Sequence, residues 1–209
     1  MVNYKSPHEP KPPMRERVLD AAVRLLGDGQ AAFSMRELAD AAGVSFATPF
    51  NHFGSKAGIM LALSARLIAE MHSTFAGATL PPTAVGRVLA AVDIAAAVML
   101  AAPAVNRAVM GAIGAPSEAP GDVSSRSGAL WAEALGAGEG LDPETMSLAL
   151  ATLPDQLAVA FRGVLSFWTA GELPDARLAG RAAAAAAATL LGFVKSEDRA
   201  LLLSLLAKV

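Results

Sequence analysis

Apolar residues recur at helical spacing along most of the chain, and this pattern constrains the fold more than any other feature of the sequence. The first clear stripe occupies positions i, i+3, i+4, i+7 and i+8 and consists of Val18, Ala21, Ala22, Leu25 and Leu26. Alternating runs of β-branched residues and Asn-Gly hairpin turns are almost absent. The sequence therefore predicts an all-α protein.

Capping and turn residues define the first four helices. After Gly27 and Gly29 end the first helix, Ser34 and Glu37 form the S-x-x-E pattern of a capping box, which starts the second. That helix is predicted to stop at residues 42–43. Ser45 is predicted to cap a third helix that runs to residue 53. Ser55 is predicted to cap a fourth that runs to about residue 75.

The remaining helices are predicted from the same signals. Pro103 can start a helix, the Asp-Pro-Glu sequence at 142–144 is a strong start, and Pro154 predicts a bend. Residues 111–125 are rich in glycine and proline and predict a flexible loop. The other predicted helices cover residues 83–102, the region around Trp131, residues 142–170, residues 174–188 and an amphipathic tail at 197–208.

Three helices within about 45 residues, with a tight Gly43 turn between the second and third, predict a helix-turn-helix. In that motif the later helix enters the major groove of DNA and its first residues meet base edges. Short side chains that donate and accept hydrogen bonds suit this role, and cations suit the phosphates. The predicted DNA-binding residues are Ser34, Arg36, Ser45, Phe46, Thr48, Asn51, His52 and Lys56.

Composition excludes several other classes of protein. The chain has no cysteine, which removes disulfides and thiol chemistry, and its histidines and acids show no metal-binding spacing. No G-x-S-x-G or comparable catalytic frame is present, so we expect neither an enzyme nor a cofactor or metal site. The longest uncharged apolar runs, of 12 and 13 residues, are shorter than the about 20 that cross a bilayer. Since the amino terminus lacks an apolar signal segment, we expect a cytoplasmic protein without a membrane partner.

The charge distribution is weakly asymmetric. Residues 1–58 carry seven Lys/Arg and six Asp/Glu, a net +1, and residues 59–209 carry ten and thirteen, a net −3. The sign suits a DNA-binding domain joined to a domain that does not bind DNA. We therefore predict an arm at residues 1–13, a helix-turn-helix domain at 14–58 and a helical ligand-binding and dimerisation domain at 59–209. The basic residues Lys5, Lys11, Arg15 and Arg17 are either a solvated tail or further DNA contacts.

Residues 18–61 resemble the DNA-binding domain of the tetracycline-repressor (TetR) family. The resemblance lies in VLDAAVRLLGDGQ, in FSMRELADAAGVS and in T-x-F-N-H-F-G-S-K, followed by apolar residues. A W-T-A-G-E-L turn near Trp168 is a weaker match. The sequence departs from the family at Pro49, where a hydrophobic residue is usual, and at Phe50, where a tyrosine is usual.

The resemblance implies a homodimeric regulator, most often a repressor, that a small molecule releases from a palindromic operator in double-stranded DNA. It implies that the third helix reads DNA, that Thr48 and His52 touch phosphates and that Lys56 neutralises another. Ser34 and Arg36 would brace the DNA backbone or a flanking base. The rival hypothesis is a helical small-molecule-binding or scaffold protein that has lost DNA binding, which Pro49 and Phe50 leave open.

Ligand and dimer sites are predicted in the carboxy-terminal domain. Its methionines and aromatic residues suit a largely apolar pocket for an apolar or amphipathic ligand. Asp93 stands between apolar runs and is either half of an ion pair, with Arg107 or Arg162, or a polar ligand anchor. The last two long helices are predicted to form the dimer, with the alanine run 182–188 allowing close approach. The predicted ligand-binding residues are Phe75, Asp93, Met99, Met110 and Trp131.

The aromatic residues of the third helix have alternatives. Phe50 and Phe53 are predicted to pack between the first and fourth helices. Phe46 is either a core residue or a contact to a thymine methyl group. If Ser45 is the cap, Pro49 is at the fourth helical position, where its missing N–H removes only the first intrahelical hydrogen bond.

Overall fold

The computed structural model describes residues 12–30, 32–114 and 121–208. Over these residues the protein is helical, and its extended pairing is limited to an isolated bridge between Leu141 and Val194. The all-α prediction is therefore confirmed. The chain divides into two compact units, Met1–Ile59 and Met60–Val209, here called the amino-terminal and carboxy-terminal units. The predicted arm lies, apart from residues 12 and 13, outside the described residues.

The amino-terminal unit is built from three short helices. They are α1 (Met14–Gly27), α2 (Met35–Ala42) and α3 (Ala47–Phe53). Val18, Ala21, Ala22 and Leu26 of the predicted stripe are buried, which confirms the face of α1 that turns inward, while Leu25 is only partly buried. The buried side chains of α2, among them Leu38, complete a small core with α1. Two residues separate the end of α3 from the next helix, α4 (Lys56–Gly77).

The carboxy-terminal unit is a helical bundle around one apolar core. The pairs α7 with α8, α8 with α9 and α5 with α9 pack most extensively. The core includes Phe75, Trp131 and Trp168, all almost fully buried. Its helices beyond α4 are α5 (Ala84–Ala101), α6 (Pro103–Gly114), α7 (Val123–Leu135), α8 (Met146–Thr169), α9 (Leu178–Leu190) and α10 (Ser196–Leu206).

Two predicted boundaries differ from the structure. The predicted loop at 111–125 is wrong at both ends, because α6 continues through Gly114 and α7 already begins at Val123; residues 115–120 lie outside the described residues. The predicted helix start at 142 is also early. Asp142 instead accepts a hydrogen bond from the Glu144 N–H through Oδ1 (2.9 Å), which closes a local turn before α8.

Two of the helices are apolar and long enough to cross a membrane by length and composition alone. These are Ala84–Ala101 and Met146–Thr169. The search for uncharged runs did not predict them, because each helix contains two charged residues. These are Arg87 and Asp93 in the first and Asp155 and Arg162 in the second, and the mean hydropathy of each helix remains that of a candidate membrane span. Both helices supply side chains to the core of the carboxy-terminal unit, which accounts for their apolar character.

Candidate nucleic-acid interface and ligand cavity

The capping box fixes the start of α2. The Glu37 N–H donates to the Ser34 hydroxyl (3.2 Å), and the Ser34 N–H donates to the Glu37 carboxylate (2.7 Å). This confirms the predicted cap. The Ser34 backbone N–H, the Ser34 hydroxyl and the charge of Lys56 together lower the pKa of Glu37, although the carboxylate is exposed. Two N–H groups that the helix itself cannot pair are thereby satisfied.

The turn between α2 and α3 is held by Gly43 and by an arginine from α1. Gly43 has φ 61° and ψ 43°, in the left-handed region that glycine adopts most readily. Arg17 donates from Nη2 to the carbonyl oxygens of Ala42 (2.8 Å) and Gly43 (2.7 Å). Arg17 was predicted as a solvated residue or a DNA contact. In the structure it ties α1 to the turn and so sets the angle at which α3 leaves α2.

The start of α3 differs from the predicted cap. Phe46 occupies the N-cap position, and the Ser45 hydroxyl pairs with the Thr48 hydroxyl (2.8 Å) instead of a backbone N–H. The prediction that Ser45 caps this helix is therefore wrong, because its hydroxyl has a side-chain partner. Pro49 is then the third helical residue, where an N–H would have no intrahelical partner in any case. The proline removes no hydrogen bond from α3 and fixes φ in its first turn.

The predicted DNA-binding residues of the amino-terminal unit divide by exposure. Thr48 is buried (9% exposed) and braces Ser45. Lys56 is part-buried: its Nζ donates to the Phe33 carbonyl (3.0 Å) and lies 4.3 Å from the centre of the Phe33 ring. Both therefore have a structural partner within the unit. The exposed members of the predicted set are Ser34, Arg36, Ser45, Phe46, Asn51 and His52.

An aromatic surface adjoins the polar residues of α3. Phe46 and Phe50 are 50% and 40% exposed, and their rings meet edge to face with centroids 5.3 Å apart. The Arg36 guanidinium lies 5.1 Å from the centre of the Phe46 ring. The prediction that Phe50 is buried is wrong, because the helix turns this ring outward against Phe46. Phe53 is half-buried and lies beneath the Arg15 guanidinium, 5.3 Å from ring centre to Cζ.

A cavity of about 320 Å³ opens in the carboxy-terminal unit between α4, α5, α6, α7 and α8. Met99, Met110 and Trp131 of the predicted ligand set line it. Trp131 meets Phe161 edge to face, with centroids 5.6 Å apart. Most of the wall is aliphatic, and its polar members among the described residues are Ser64, Ser124, Ser127 and Arg162. A pocket of this composition suits a small apolar molecule.

Phe75 and Asp93, also in the predicted ligand set, lie elsewhere. Phe75 is buried in the core and does not border the cavity. Asp93 is exposed on the same face of α5 as Ala97, so the interpretation of Asp93 as a carboxylate on an apolar face is wrong. Its apolar sequence neighbours point to other sides of the helix, since successive residues differ by about 100°.

The two arginines considered as partners for Asp93 have other surroundings. Arg107 forms an ion pair with Asp175, donates to the Trp168 carbonyl (3.1 Å) and lies over the Trp168 ring. Arg162, which was predicted only as a possible partner of Asp93, is on the cavity wall. Its relation to the cavity could have been found from spacing, because Ala158 and Leu165, four residues before and three after it, line the same wall.

No group of three or more His, Asp or Glu side chains arranged to hold a metal ion occurs within residues 12–30, 32–114 and 121–208. The candidate sites are thus a polar and aromatic surface on α3 and an apolar cavity with one arginine. The first can present hydrogen-bonding groups to a groove, and the second can enclose a small molecule.

Comparisons with known proteins concern first the amino-terminal unit, which carries the polar and aromatic surface on α3. The sequence profile of the tetR family of bacterial regulatory proteins matches residues 18–63, which include α1, α2, α3 and the start of α4. Over 62 residues the chain is 39% identical to the HTH-type transcriptional regulator BetI of Rhizobium meliloti (strain 1021). That match spans 29% of this chain and 30% of BetI, so it concerns less than a third of either protein.

Solved structures match over most of the length. A TetR transcriptional regulator from Rhodococcus sp. RHA1 superimposes with a TM-score of 0.68 at 22% identity, covering 85% of this chain and 96% of that one. A protein of unknown function from the same organism has a TM-score of 0.56 at 24% identity, covering 91% and 100%. At these identities the likeness shows the fold. Residues 18–63 thus carry the sequence pattern of the tetR family, and over most of its length the chain has the fold of these solved structures.

Proposed function

We propose that the chain is a sequence-specific DNA-binding transcriptional regulator, a repressor that a small apolar molecule releases from a palindromic operator. The observation that carries the proposal is the presentation of α3. The capped α2 and the Gly43 turn fix its amino-terminal end, and the polar side chains of Asn51 and His52 face solvent. Such a helix can enter a major groove.

The exposed residues of α3 and its surroundings have distinct proposed roles. The Asn51 amide can donate and accept at once, which suits a bidentate contact to adenine. His52 and Ser45 can donate to phosphate oxygens, and Ser34 and Arg36 can contact the backbone at the groove edge. The Phe46 ring can pack on a thymine methyl group. Lys56 contributes positive potential while its amine stays bonded to the Phe33 carbonyl.

The proposed ligand site is the cavity of the carboxy-terminal unit. Ser64, Leu67, Ile68 and Met71 of α4 are part of its wall. The same helix begins at Lys56, and two residues separate it from α3. A ligand that moves α4 can therefore alter the position of α3. A differential affinity of roughly 1–3 kcal/mol between the two states changes DNA affinity about 5- to 150-fold.

We propose that α8 and α9 form the dimer interface. Leu148, Val159 and Phe167 of α8 are 57%, 65% and 58% exposed, an unusual concentration of large apolar side chains on one helix. Within the alanine run, Ala182, Ala184, Ala186 and Ala187 are buried in the unit itself. The run therefore serves internal packing first, and Ala188 remains exposed for close approach of a second copy.

Selection of duplexes from a random pool tests the DNA-binding proposal. We expect enrichment of a two-fold symmetric motif, with affinity falling as salt rises because bound lysine and arginine displace counterions. A two-fold dimer predicts half-sites about 34–36 Å apart, or a multiple of that distance. Enrichment of no motif at low salt contradicts the proposal.

The second candidate is a helical small-molecule-binding protein that does not bind DNA. Two observations favour it: Phe50 has no hydroxyl for a phosphate, and the Lys56 amine is bonded within the unit. The duplex selection distinguishes the two candidate functions. Ligand binding in the cavity together with a failed duplex selection selects the second. In either case we propose a cytoplasmic protein without catalytic activity.

A further inference from the structure

The unusual feature of the cavity is one cation in an apolar wall. Of the described residues that line it, Arg162 is the only charged one, and thirteen are apolar. The guanidinium is half-buried, and loss of water around it lowers the pKa of Arg162. None of these described lining residues is an aspartate or a glutamate.

The hydrogen bonds of Arg162 are long for a half-buried cation. Nη2 lies 3.4 Å from the Met110 carbonyl oxygen, and Nη1 lies 3.5 Å from the Met110 sulfur. A guanidinium has five N–H donors in a planar fork, and hydrogen bonds beyond about 3.2 Å are long for such donors. Over the described residues, no carboxylate forms an ion pair with Arg162.

The other enclosed arginines of the same unit have strong partners. Arg87 pairs with Glu139 and donates to the carbonyls of Ala134 (2.9 Å) and Leu135 (2.8 Å). Arg107 pairs with Asp175. Within the described part of the chain, a carboxylate pairs with each of these arginines and none pairs with Arg162, which borders the cavity. Among the described residues, the guanidinium of Arg162 is therefore left available to a ligand.

The other polar groups of the wall suit an anion. The Ser127 hydroxyl accepts from the Trp131 indole N–H (3.3 Å), so its own hydrogen remains available to a ligand. Ser64, which is 3% exposed, adds a second hydroxyl on the cavity side of α4. Neither hydroxyl carries a charge, and none of the described residues that line the cavity is acidic, so none of them offers a counter-ion to a cationic ligand.

We infer that the cavity binds a small apolar molecule bearing one carboxylate, with Arg162 as the anchor of the carboxylate. The planar fork of a guanidinium matches the two oxygens of a carboxylate, and pairing restores the interactions that Arg162 loses by burial. The apolar part of the molecule lies among Met71, Met99 and Trp131. The inference deepens the proposed function, on which its regulatory meaning rests, by naming the class of ligand.

The test uses matched compounds and the full-length protein without DNA. Octanoate, 1-octanol and octylamine share one alkyl chain and differ in the charge of the head group; 4-phenylbutyrate and 4-phenylbutanol form an aromatic pair. Thermal shift ranks them, and calorimetry at neutral pH measures Kd. We expect the better of the two carboxylates to bind at least about tenfold more tightly than its alcohol, since hydrogen bonds to charged groups exceed neutral ones. Octylamine should bind more weakly than octanol.

Three variants test whether Arg162 causes any preference for the carboxylate over the alcohol. Arg162→Met keeps an apolar wall and should bind the acid no better than the alcohol, while retaining its affinity for the alcohol. Arg162→Lys keeps the charge without the fork and should retain part of the preference. Arg199→Gln removes an equal charge from an exposed position on α10 and should behave as the wild type. Circular dichroism shows whether each variant is folded. If Arg162→Met does not fold, the reduced preference expected of Arg162→Lys is the test.

Equal affinity for acid and alcohol in the wild type overturns the inference, as does a preference that survives in a folded Arg162→Met variant. The proposed function is tested separately, by measuring affinity for a selected duplex with and without the carboxylate. Binding through Arg162 that leaves DNA affinity unchanged supports the anchor and contradicts ligand-controlled release. Release by uncharged compounds that bind Arg162→Met as well as the wild type overturns the anchor and leaves the regulator standing.

Discussion

Replacing Gly43 by alanine should lower the free energy of local opening of the helix-turn-helix, and the structure gives the size of this loss. At φ 61° an alanine is in the left-handed region, which costs about 1–2 kcal/mol for a residue with a Cβ. The new Cβ would also lie 3.2 Å from Nη2 of Arg17, so this nitrogen must shift by a few tenths of an ångström. That nitrogen donates to the carbonyls of Ala42 and Gly43, and hydrogen bonds from a charged group contribute about 1.5–3 kcal/mol. We expect a total loss of about 2–4 kcal/mol.

Matched variants separate the two contributions. Gly29 also has a positive φ, 77°, but a Cβ there meets nothing within 4 Å, so Gly29→Ala should cost only the backbone part, about 1–2 kcal/mol. In an Arg17→Met background, Gly43→Ala should likewise cost only the backbone part. The difference between backgrounds is the coupling of Gly43 to Arg17.

The assay has to report on the amino-terminal unit alone. Both tryptophans, Trp131 and Trp168, lie in the carboxy-terminal unit, so their fluorescence does not follow the helix-turn-helix. Native-state hydrogen exchange, read by mass spectrometry on peptides from α2 and α3, gives the free energy of local opening. A change below about 0.5 kcal/mol for Gly43→Ala, or equal losses at Gly43 and Gly29, refutes the reasoning.

Three further predictions concern other contacts. Folding lowers the pKa of Glu37, so its ionised form stabilises α2 above the unfolded-state pKa, and this contribution is lost as the pH falls through the folded-state value. Hydrogen exchange across the acidic range should show this loss, and Glu37→Gln, which keeps a capping acceptor, should not. Phe167→Glu should turn the dimer into a monomer in light scattering, whereas Leu201→Glu, at a comparably exposed leucine of α10, should remain a dimer. If both variants remain dimers, the proposed interface is contradicted. Lys56→Met should lower the opening free energy by about 1–3 kcal/mol through the lost bond to the Phe33 carbonyl, and an unchanged salt dependence of DNA binding would exclude a phosphate role.

Features set by neighbours in the sequence were predicted well. The capping box of Ser34 and Glu37 and the glycine at position 43 depend on residues within four positions of each other, and both are confirmed. The inward stripe of α1 follows from spacing alone. The all-α fold follows from the same helical spacing, which recurs along the chain, although several of the predicted helix ends were wrong.

Features set by tertiary contacts were not predicted. Ser45 lost its capping role to a hydroxyl partner, and Phe50 faces Phe46 instead of the core. Asp93 was assessed by its immediate neighbours, which on a helix do not share its face. Arg162 was considered without its cavity, since the sequence alone does not show where α4, α5, α6, α7 and α8 leave a space.

The central claim is that α3 reads bases through Asn51. Its most direct test repeats the random-pool selection with the wild type and with Asn51→Ala, followed by affinity measurements on the selected duplex and its single-base variants. The wild type should enrich a two-fold symmetric motif, and Asn51→Ala should bind the same duplex but lose its preference at one position of each half-site, by about 1–3 kcal/mol. An identical motif and identical mismatch penalties for both proteins, or no motif for the wild type, would contradict the claim.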